Sequence, residues 1–256
     1  MASNKPILVV AGVGNGSGTG AATALEFSKA GYRVALIARN ADHLKTTADG
    51  IVASGGDAAS FPVTQYDYPS IQAAFASVKS HWPASPIRAA VWNAGHGVWK
   101  PFLSLTEAEV KSSVDTNIVA AFAFARSSIL AFQENDIDEK SGKRGVLIFT
   151  GATASLRGNK TTSAFAAGKF GLRALSQSLN KEFGSQNIHV AHAIIDGGIL
   201  TDRSREFRGK SDPKWVENED VRLSPESIAK SYLYLANQDR SAWTWELDLR
   251  PAHETW

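Results

Sequence analysis

The stretch "AGVGNGSGTG" (residues 11–20) follows a short apolar run and leads into an alanine-rich segment. Its glycines form the pattern G-x-x-x-G-x-G. Glycine permits a tight turn and a close approach of the backbone to a ligand, and the N-terminus of the following helix offers free N–H groups to a diphosphate. This position, between a first strand and a first helix, is where a dinucleotide-binding fold needs such a loop, although a merely structural turn is the alternative. The predicted cofactor-binding residues of the loop are Gly12, Asn15, Gly16, Ser17 and Gly18.

Outside this loop, short apolar runs alternate with segments whose apolar residues recur at helical spacing, such as "AATALEFSKAG". Continuous apolar runs are typical of parallel strands buried on both faces, joined by right-handed crossover helices. The sequence therefore predicts a single α/β domain over residues 1–256, with a doubly wound parallel sheet of about seven strands flanked by helices. The predicted strands are residues 6–10, 33–38, 58–63, 87–92, 145–150, 188–195 and 243–249.

Composition limits the classes of function. The chain has 256 residues, 43% hydrophobic and 20% charged, with a formal net charge of +2 and no clustered basic run. These values argue against a nucleic-acid or membrane surface and favour a small-molecule partner. The absence of cysteine excludes thiolate zinc sites and disulfides, and we predict no metal site. The first apolar run is short and leads into a turn, and no run approaches the roughly 20 apolar residues of a membrane span, so we expect a soluble cytoplasmic protein.

The end of the second predicted strand indicates which dinucleotide is bound. There "ALIARN" places Arg39 and Asn40 where an acidic residue would otherwise bind the ribose 2′-hydroxyl of NAD. An arginine at this point can pair with a 2′-phosphate instead. The sequence therefore predicts NADP(H) as the cofactor, the alternative being a solvent-facing arginine at a strand end.

Together with the glycine loop, "WNAG" (residues 92–95) and "TTSAFAAGKFG" (residues 161–171) make the chain resemble the short-chain dehydrogenase/reductase family from end to end. The resemblance implies a one-domain Rossmann fold that binds a nicotinamide dinucleotide. It implies that Asn117, in "DTNIVAAF", is the active-site asparagine and that Lys169 binds the nicotinamide ribose. Further cofactor contacts implied by the resemblance are Asn93, Ala94, Gly95, Gly197 and Thr201.

Two hydroxyl groups expected from the family are missing. Phe165 stands where the family has its tyrosine, and Ala152 stands where it has its serine. Thr153 is the replacement hydroxyl that we select, with Thr150 and Ser155 as further candidates. The structural interpretation, which their positions favour, is that all three are turn and strand-end residues that hydrogen-bond their own backbone. More narrowly, the chain resembles a subgroup with phenylalanine in place of the tyrosine and with similar "FTGATASLRG" and "ELDLRP" stretches. The predicted catalytic residues are Lys169, Asn117, Phe165 and Thr153.

The missing hydroxyls bear on the reaction, because a positioned acid is typically worth 10²- to 10⁴-fold in carbonyl reduction. His96 could replace the acid or could be a surface residue. An iminium carbon needs no acid, and Phe165 would then be a pocket wall that favours the cation. We expect an NADP(H)-dependent oxidoreductase acting on a small organic carbonyl or imine. The alternatives are an NADP(H)-binding sensor or inactive partner without redox turnover, and a non-redox isomerase or cyclase.

Three further expectations concern surfaces and pockets. The charged segment of residues 201–220 is either a flap over the site or a plain surface loop. The family resemblance implies a homodimer or homotetramer, formed by the helices that carry Asn117 and Lys169. An apolar pocket for an isomerase or cyclase would draw on tryptophans, which otherwise belong to the core. These are Trp92, Trp99, Trp215, Trp243, Trp245 and Trp256.

Overall fold

The computed structural model describes residues 5–255 and contains a parallel sheet of seven strands in the order β3-β2-β1-β4-β5-β6-β7. The architecture confirms the predicted doubly wound α/β fold. Most strand positions agree with the apolar runs to within one residue. The strands are β1 (Ile7–Ala11), β2 (Arg33–Ala38), β3 (Asp57–Pro62), β4 (Ile87–Trp92), β5 (Gly145–Thr150), β6 (Ile188–Ile195) and β7 (Glu246–Leu249).

Helices cover both faces of the sheet and bury two apolar clusters against it. In one cluster Phe124 packs against Trp92, and in the other Phe27 and Tyr232 are fully buried. A π-helical turn, Asp115–Val119, joins two of the helices into one continuous stretch. The helices are α1 (Thr19–Lys29), α2 (Ala41–Ala53), α3 (Tyr68–His81), α4 (Glu107–Val114), α5 (Ala120–Gln133), α6 (Ser163–Phe183), α7 (Asp202–Ser211), α8 (Pro213–Glu217) and α9 (Pro225–Asn237).

The strand order reverses between β1 and β4. From β1 the chain winds outward to β2 and β3, and it then crosses back to place β4 on the other side of β1. In open α/β sheets a ligand binds in the crevice at the carboxyl ends of the strands, at such a reversal. The glycine loop after β1 and the "WNAG" stretch after β4 meet at this point, so the fold brings the predicted cofactor residues together.

The segment after β6 differs from a plain loop. It forms α7 and α8, which begin at side-chain caps: Thr201 accepts a hydrogen bond from the Ser204 amide (3.1 Å), and Asp212 accepts one from the Trp215 amide (3.2 Å). Pro213 occupies the first position of α8, where a proline needs no hydrogen-bond donor. Each cap satisfies one of the free N–H groups at the start of its helix.

One described stretch, Glu107–Gln133, is long and apolar enough by composition to cross a membrane, with a mean hydropathy of 1.2 in its best window. Half of that window is buried inside the protein. There Phe124 contacts Trp92 and Phe75, with ring centroids 5.3 and 5.4 Å away. A core helix passes the same test, so the stretch is weak evidence for a membrane span.

Candidate active site

A cleft of about 870 Å³ opens at the carboxyl ends of the central strands. The loops that follow β1, β4, β5 and β6 form its walls, together with the first turns of α6 and α7. Predicted residues from the glycine loop, from the stretch after β4, from the loop after β5, from α6 and from the segment after β6 therefore face one space, whereas Arg39, Asn40 and Asn117 do not line it. The sequence-predicted residues that line it are Gly18, Asn93, Gly95, Thr153, Phe165, Lys169, Gly197 and Thr201.

Gly12 fixes the start of the glycine loop. Its φ of +94° lies in the left-handed region, and a Cβ at this position would lie 2.4 Å from the backbone nitrogen of Ala94. The Asn93 side chain donates a hydrogen bond to the carbonyl of Gly12 across 2.7 Å. Only glycine fits this backbone conformation and this close approach. Asn93 and Ala94 therefore contact the backbone of the glycine loop at Gly12 and fix its start.

The N-terminus of α1 offers unused hydrogen-bonding groups to the cleft. Its cap residue is Gly18, so no side chain caps the first amides of the helix. The hydroxyl of Thr19 is buried and, within residues 5–255, has no hydrogen-bond partner. Thr19 also lines the cleft. Free amides, the positive end of the helix dipole and an unpaired hydroxyl fit a diphosphate at this position.

Asn15 and Ser17 join the glycine loop to α7. The Asn15 side-chain amide donates to the carboxylate of Asp202 (3.0 Å), and the Ser17 hydroxyl accepts from the Asp202 backbone N–H (3.1 Å). Ser17 in turn donates its proton to the Asn15 side-chain oxygen (2.7 Å). Gly16, between them, has a φ of +99°. The segment that begins at residue 201 is thus hydrogen-bonded to the glycine loop.

Arg39 and Asn40 have different surroundings. The Arg39 guanidinium is exposed at the end of β2 and lies 5.5 Å from the centroid of the Tyr66 ring. No ion pair among the described residues involves Arg39. The Asn40 side-chain oxygen accepts from the His43 amide (2.9 Å) and caps α2. Arg39 is therefore available to a phosphate, whereas the Asn40 side-chain oxygen caps a helix.

Phe165 and Lys169 share one face of α6, as their spacing predicts. The Lys169 ammonium lies 5.7 Å from the centroid of the Phe165 ring and donates to the Thr150 carbonyl across 2.8 Å. Only 5% of Lys169 is exposed, and this burial lowers its pKa to about 8. On the cleft side, Phe165 packs against Trp99 at 5.4 Å between ring centroids.

Asn117 lies in the π-helical turn and is fully buried. Its side chain donates to the His96 carbonyl (2.8 Å) and accepts from the His96 amide (3.1 Å), so it fixes the backbone after "WNAG". A Cβ on Gly95 would lie 3.5 Å from the Asn117 side-chain oxygen and 3.6 Å from the Lys169 nitrogen. The Asn117 side-chain oxygen and the Lys169 nitrogen therefore both lie close to Gly95. His96 lines a separate depression beside Trp99.

The three candidate hydroxyls differ in their partners. Thr150 bonds the hydroxyl of Tyr232 (2.8 Å), and the fully buried Ser155 accepts from the Ala152 amide (3.1 Å). Thr153 lines the cleft and donates to the carboxylate of Asp196 across 2.5 Å. Thr150 also lines the cleft, but its hydroxyl bonds Tyr232, whereas the Thr153 hydroxyl bonds a carboxylate.

Asp196 is a site residue that the sequence prediction did not select. Only 1% of it is exposed, and its carboxylate lies 3.3 Å from the guanidinium of Arg250 and 3.7 Å from that of Arg157. The available signal was an aspartate directly after the apolar run of residues 188–195. A carboxylate at the carboxyl end of a central strand lies where it can bind polar groups at the edge of the cleft, as Asp196 binds the Thr153 hydroxyl.

The tryptophans do not combine into one apolar pocket. Trp99 lines the cleft, whereas Trp92 is the last residue of β4 and is buried in the core. Trp215 packs under the Arg208 guanidinium, 4.7 Å from ring centroid to carbon, and Trp243 stacks on His189. Trp245 lies beside Arg173 and does not line the cleft, and Trp256 lies outside the described residues.

Comparison with known proteins places these features in a family. Residues 7–212 match the model of the short chain dehydrogenase family. A 3-oxoacyl-[acyl-carrier-protein] reductase from Mus musculus is 26% identical over 200 residues, which cover 78% of this chain and 79% of that protein.

Two crystal structures are similar over almost the whole chain. A short-chain dehydrogenase from Rhodopseudomonas palustris is 30% identical, with a TM-score of 0.77 and coverage of 97% of this chain and 99% of its own. A metagenomic short-chain oxidoreductase in complex with NADP is 25% identical, with a TM-score of 0.76 and coverage of 96% and 97%. This protein belongs to the short chain dehydrogenase family.

Proposed function

We propose that the protein is an NADP(H)-dependent oxidoreductase that transfers hydride to a small organic carbonyl or imine. One observation carries the proposal: the uncapped start of α1, with its unpaired Thr19 hydroxyl, and the buried Lys169 open into the same cleft. Curated relatives are reductases, and one structural neighbour binds NADP, which supports the same assignment.

The cofactor would be held along the carboxyl ends of β1, β2 and β4. The glycine loop and the first turn of α1 would bind the diphosphate. Arg39 would neutralise the 2′-phosphate, since no carboxylate pairs with it among residues 5–255. Lys169 would donate to the nicotinamide ribose, and Gly197 and Thr201 would border the nicotinamide. When bound, NADPH supplies the hydride.

Thr153 would contact the reacting group in place of the absent tyrosine and serine. A carboxylate only accepts hydrogen bonds, so the Thr153 proton points at Asp196 and the oxygen lone pairs are left for a ligand. A protonated imine or an alcohol can donate to such an oxygen, whereas a ketone cannot. This polarity favours the imine within the proposed substrate class, with Phe165 as an apolar wall.

Calorimetry and a turnover assay test the proposal. We expect NADPH and NADP⁺ to bind more tightly than NADH and NAD⁺, and we expect NADPH oxidation with at least one compound from a panel of ketones, aldehydes and cyclic imines. The absence of binding heat with all four coenzymes would contradict the proposal.

A specific observation favours one alternative, an NADP(H)-binding sensor or inactive partner. Phe165 and Ala152 leave the cleft without the two family hydroxyls. Tight coenzyme binding with no turnover across the panel would support this alternative. The isomerase or cyclase alternative has less support, because Trp99 is the one tryptophan among the residues that line the cleft.

We further propose a cytoplasmic homodimer or homotetramer. Helices α4, α5 and α6 carry exposed apolar side chains, including Val110, Phe122 and Phe170. Apolar side chains on neighbouring helices suit close helix packing between subunits. Light scattering coupled to size-exclusion chromatography gives the mass directly, and a monomer at micromolar concentration would contradict this assembly.

A further inference from the structure

The wall of the cleft carries positive charge only. Four of its lining residues are cationic, and none of the residues that line it is aspartate or glutamate. Lys169 is already engaged by the Thr150 carbonyl. The other cations come from the loop after β5 and from α7; they are Arg157, Arg203 and Arg208.

Two of these arginines border the loop that ends β6. The Arg157 guanidinium lies 3.7 Å from the Asp196 carboxylate, and a Cβ on Gly198 would lie 3.0 Å from a guanidinium nitrogen of Arg208. Arg208 rests on the Trp215 ring at 4.7 Å, which orients the guanidinium plane and leaves its N–H edges available. No carboxylate forms an ion pair with Arg208 in the described part of the chain.

Large aromatic side chains lie in the same cleft. Trp99 and Phe207 are 56% and 70% exposed, and both line it together with Phe165. Exposed aromatic rings around a concave site are typical of a surface that binds an apolar body. The cleft therefore combines aromatic rings with guanidinium groups, and no aspartate or glutamate is among its lining residues.

We infer that the substrate is a small organic anion with a flat apolar body, whose carboxylate is bound by Arg157 and Arg208. This inference rests on the proposed function, because it describes the part of the substrate that surrounds the reacting carbonyl or imine. Guanidinium groups bind carboxylates through paired, charge-assisted hydrogen bonds. The anion, the aromatic wall and Thr153 would hold the ligand at three points.

Calorimetry with matched probes tests the inference without knowledge of the true substrate. The probes are 2-naphthoate, neutral 2-naphthamide and cationic 2-naphthylmethylammonium, titrated at fixed ionic strength into protein with and without saturating NADP⁺. We expect 2-naphthoate to bind at least about tenfold more tightly than the amide, and the ammonium compound to give no heat. Arg157→Gln and Arg208→Gln should each weaken 2-naphthoate binding about tenfold and leave the amide unchanged.

Arg205→Gln is the matched control, since Arg205 is exposed on α7 and does not line the cleft. Equal affinity for the naphthoate and the amide, or no heat with naphthoate, would overturn the inference even if every variant folds poorly, because both are wild-type measurements. Variants that lose NADP⁺ affinity and keep naphthoate affinity would also overturn it, by assigning the arginines to the coenzyme. Failure of the wild type to bind NADP⁺ counts against the proposed function alone.

Discussion

The hydroxyl of Thr153 donates to the buried carboxylate of Asp196 across 2.5 Å. These residues are far apart in the sequence and meet at the carboxyl ends of β5 and β6. The guanidinium groups of Arg250 and Arg157 lie 3.3 and 3.7 Å from the same carboxylate. The contact fixes the direction of the threonine proton and leaves an oxygen facing the cleft.

Removal of the Thr153 hydroxyl should therefore lower turnover. Thr153→Val keeps the shape of the side chain, and we expect a fall in kcat of about 10- to 100-fold with unchanged NADPH affinity, since positioned proton-handling groups contribute effects of this size. Thr153→Ser should retain most of the activity. Steady-state kinetics on a substrate from the panel measures the effect. Equal turnover of the valine variant and the wild type would exclude Thr153 from the reaction.

Phe165→Tyr should convert the site into a better ketone reductase. The new phenol would stand near the Lys169 ammonium, which lies 5.7 Å from the present ring centroid, and a cation at this distance favours phenol ionisation and proton transfer. We expect ketone reduction to rise about 100-fold. Phe170→Tyr, on the same helix but 43% exposed and outside the cleft, is the control. A loss of native activity without a gain on ketones would instead show that the bare ring is required.

Arg39→Gln should weaken NADPH binding about tenfold or more and leave NADH binding unchanged, because only NADPH carries the 2′-phosphate. Lys45→Gln serves as the control, since Lys45 is exposed on α2 and pairs with Asp49 (2.6 Å). Calorimetry at fixed ionic strength gives both affinities. An equal loss for the two coenzymes would indicate damage to the binding surface and not a phosphate contact.

Lys169 should make stability depend on pH in the alkaline range. Burial lowers the pKa of Lys169 from 10.5 to about 8. Below pH 8 the buried lysine is charged in the folded state, and this buried charge reduces the free energy of unfolding. Above pH 10.5 lysine is neutral in both the folded and the unfolded state, so the reduction disappears. Relative to Lys169→Met, the wild type should gain stability between pH 8 and 10.5, by on the order of 3 kcal/mol.

Urea unfolding of both proteins from pH 7 to 10.5 measures this difference. Lys143 is also buried, with a pKa of about 8, but it is present in both proteins and cancels in the comparison. If the free energies of unfolding of the two proteins change in parallel across this range, the burial of Lys169 does not lower its pKa.

Local sequence patterns were sufficient to predict the sheet. Parallel strands buried on both faces require continuous apolar runs, and six of the seven predicted strands agree with the structure to within one residue. The last strand begins at Glu246, three residues after its predicted start, because Trp243 stacks on His189 at the sheet edge before the pairing begins. Residues 201–220 were predicted as a flap or loop because Gly209 and Pro213 obscure two short, well-capped helices.

The site was predictable where its residues lie close in sequence. The spacing of Phe165 and Lys169 places both on one face of α6, and the glycine loop precedes α1 directly. The contact between Thr153 and Asp196 depends on how β5 and β6 pair, which no local pattern specifies. The same holds for Arg157 and Arg208, which are far apart in the sequence and line the same cleft.

Helix α7 is held to the glycine loop by hydrogen bonds at its first residue. Asp202 is bonded to Asn15 and Ser17 through its carboxylate and its backbone N–H, and the same helix carries Phe207 and Arg208 to the substrate side. Any outward swing of this helix must first break two hydrogen bonds, at a cost of roughly 1–3 kcal/mol. Entry of a substrate and release of a coenzyme would then both require the same two hydrogen bonds to break, and these bonds lie at the glycine loop, away from the reacting atoms.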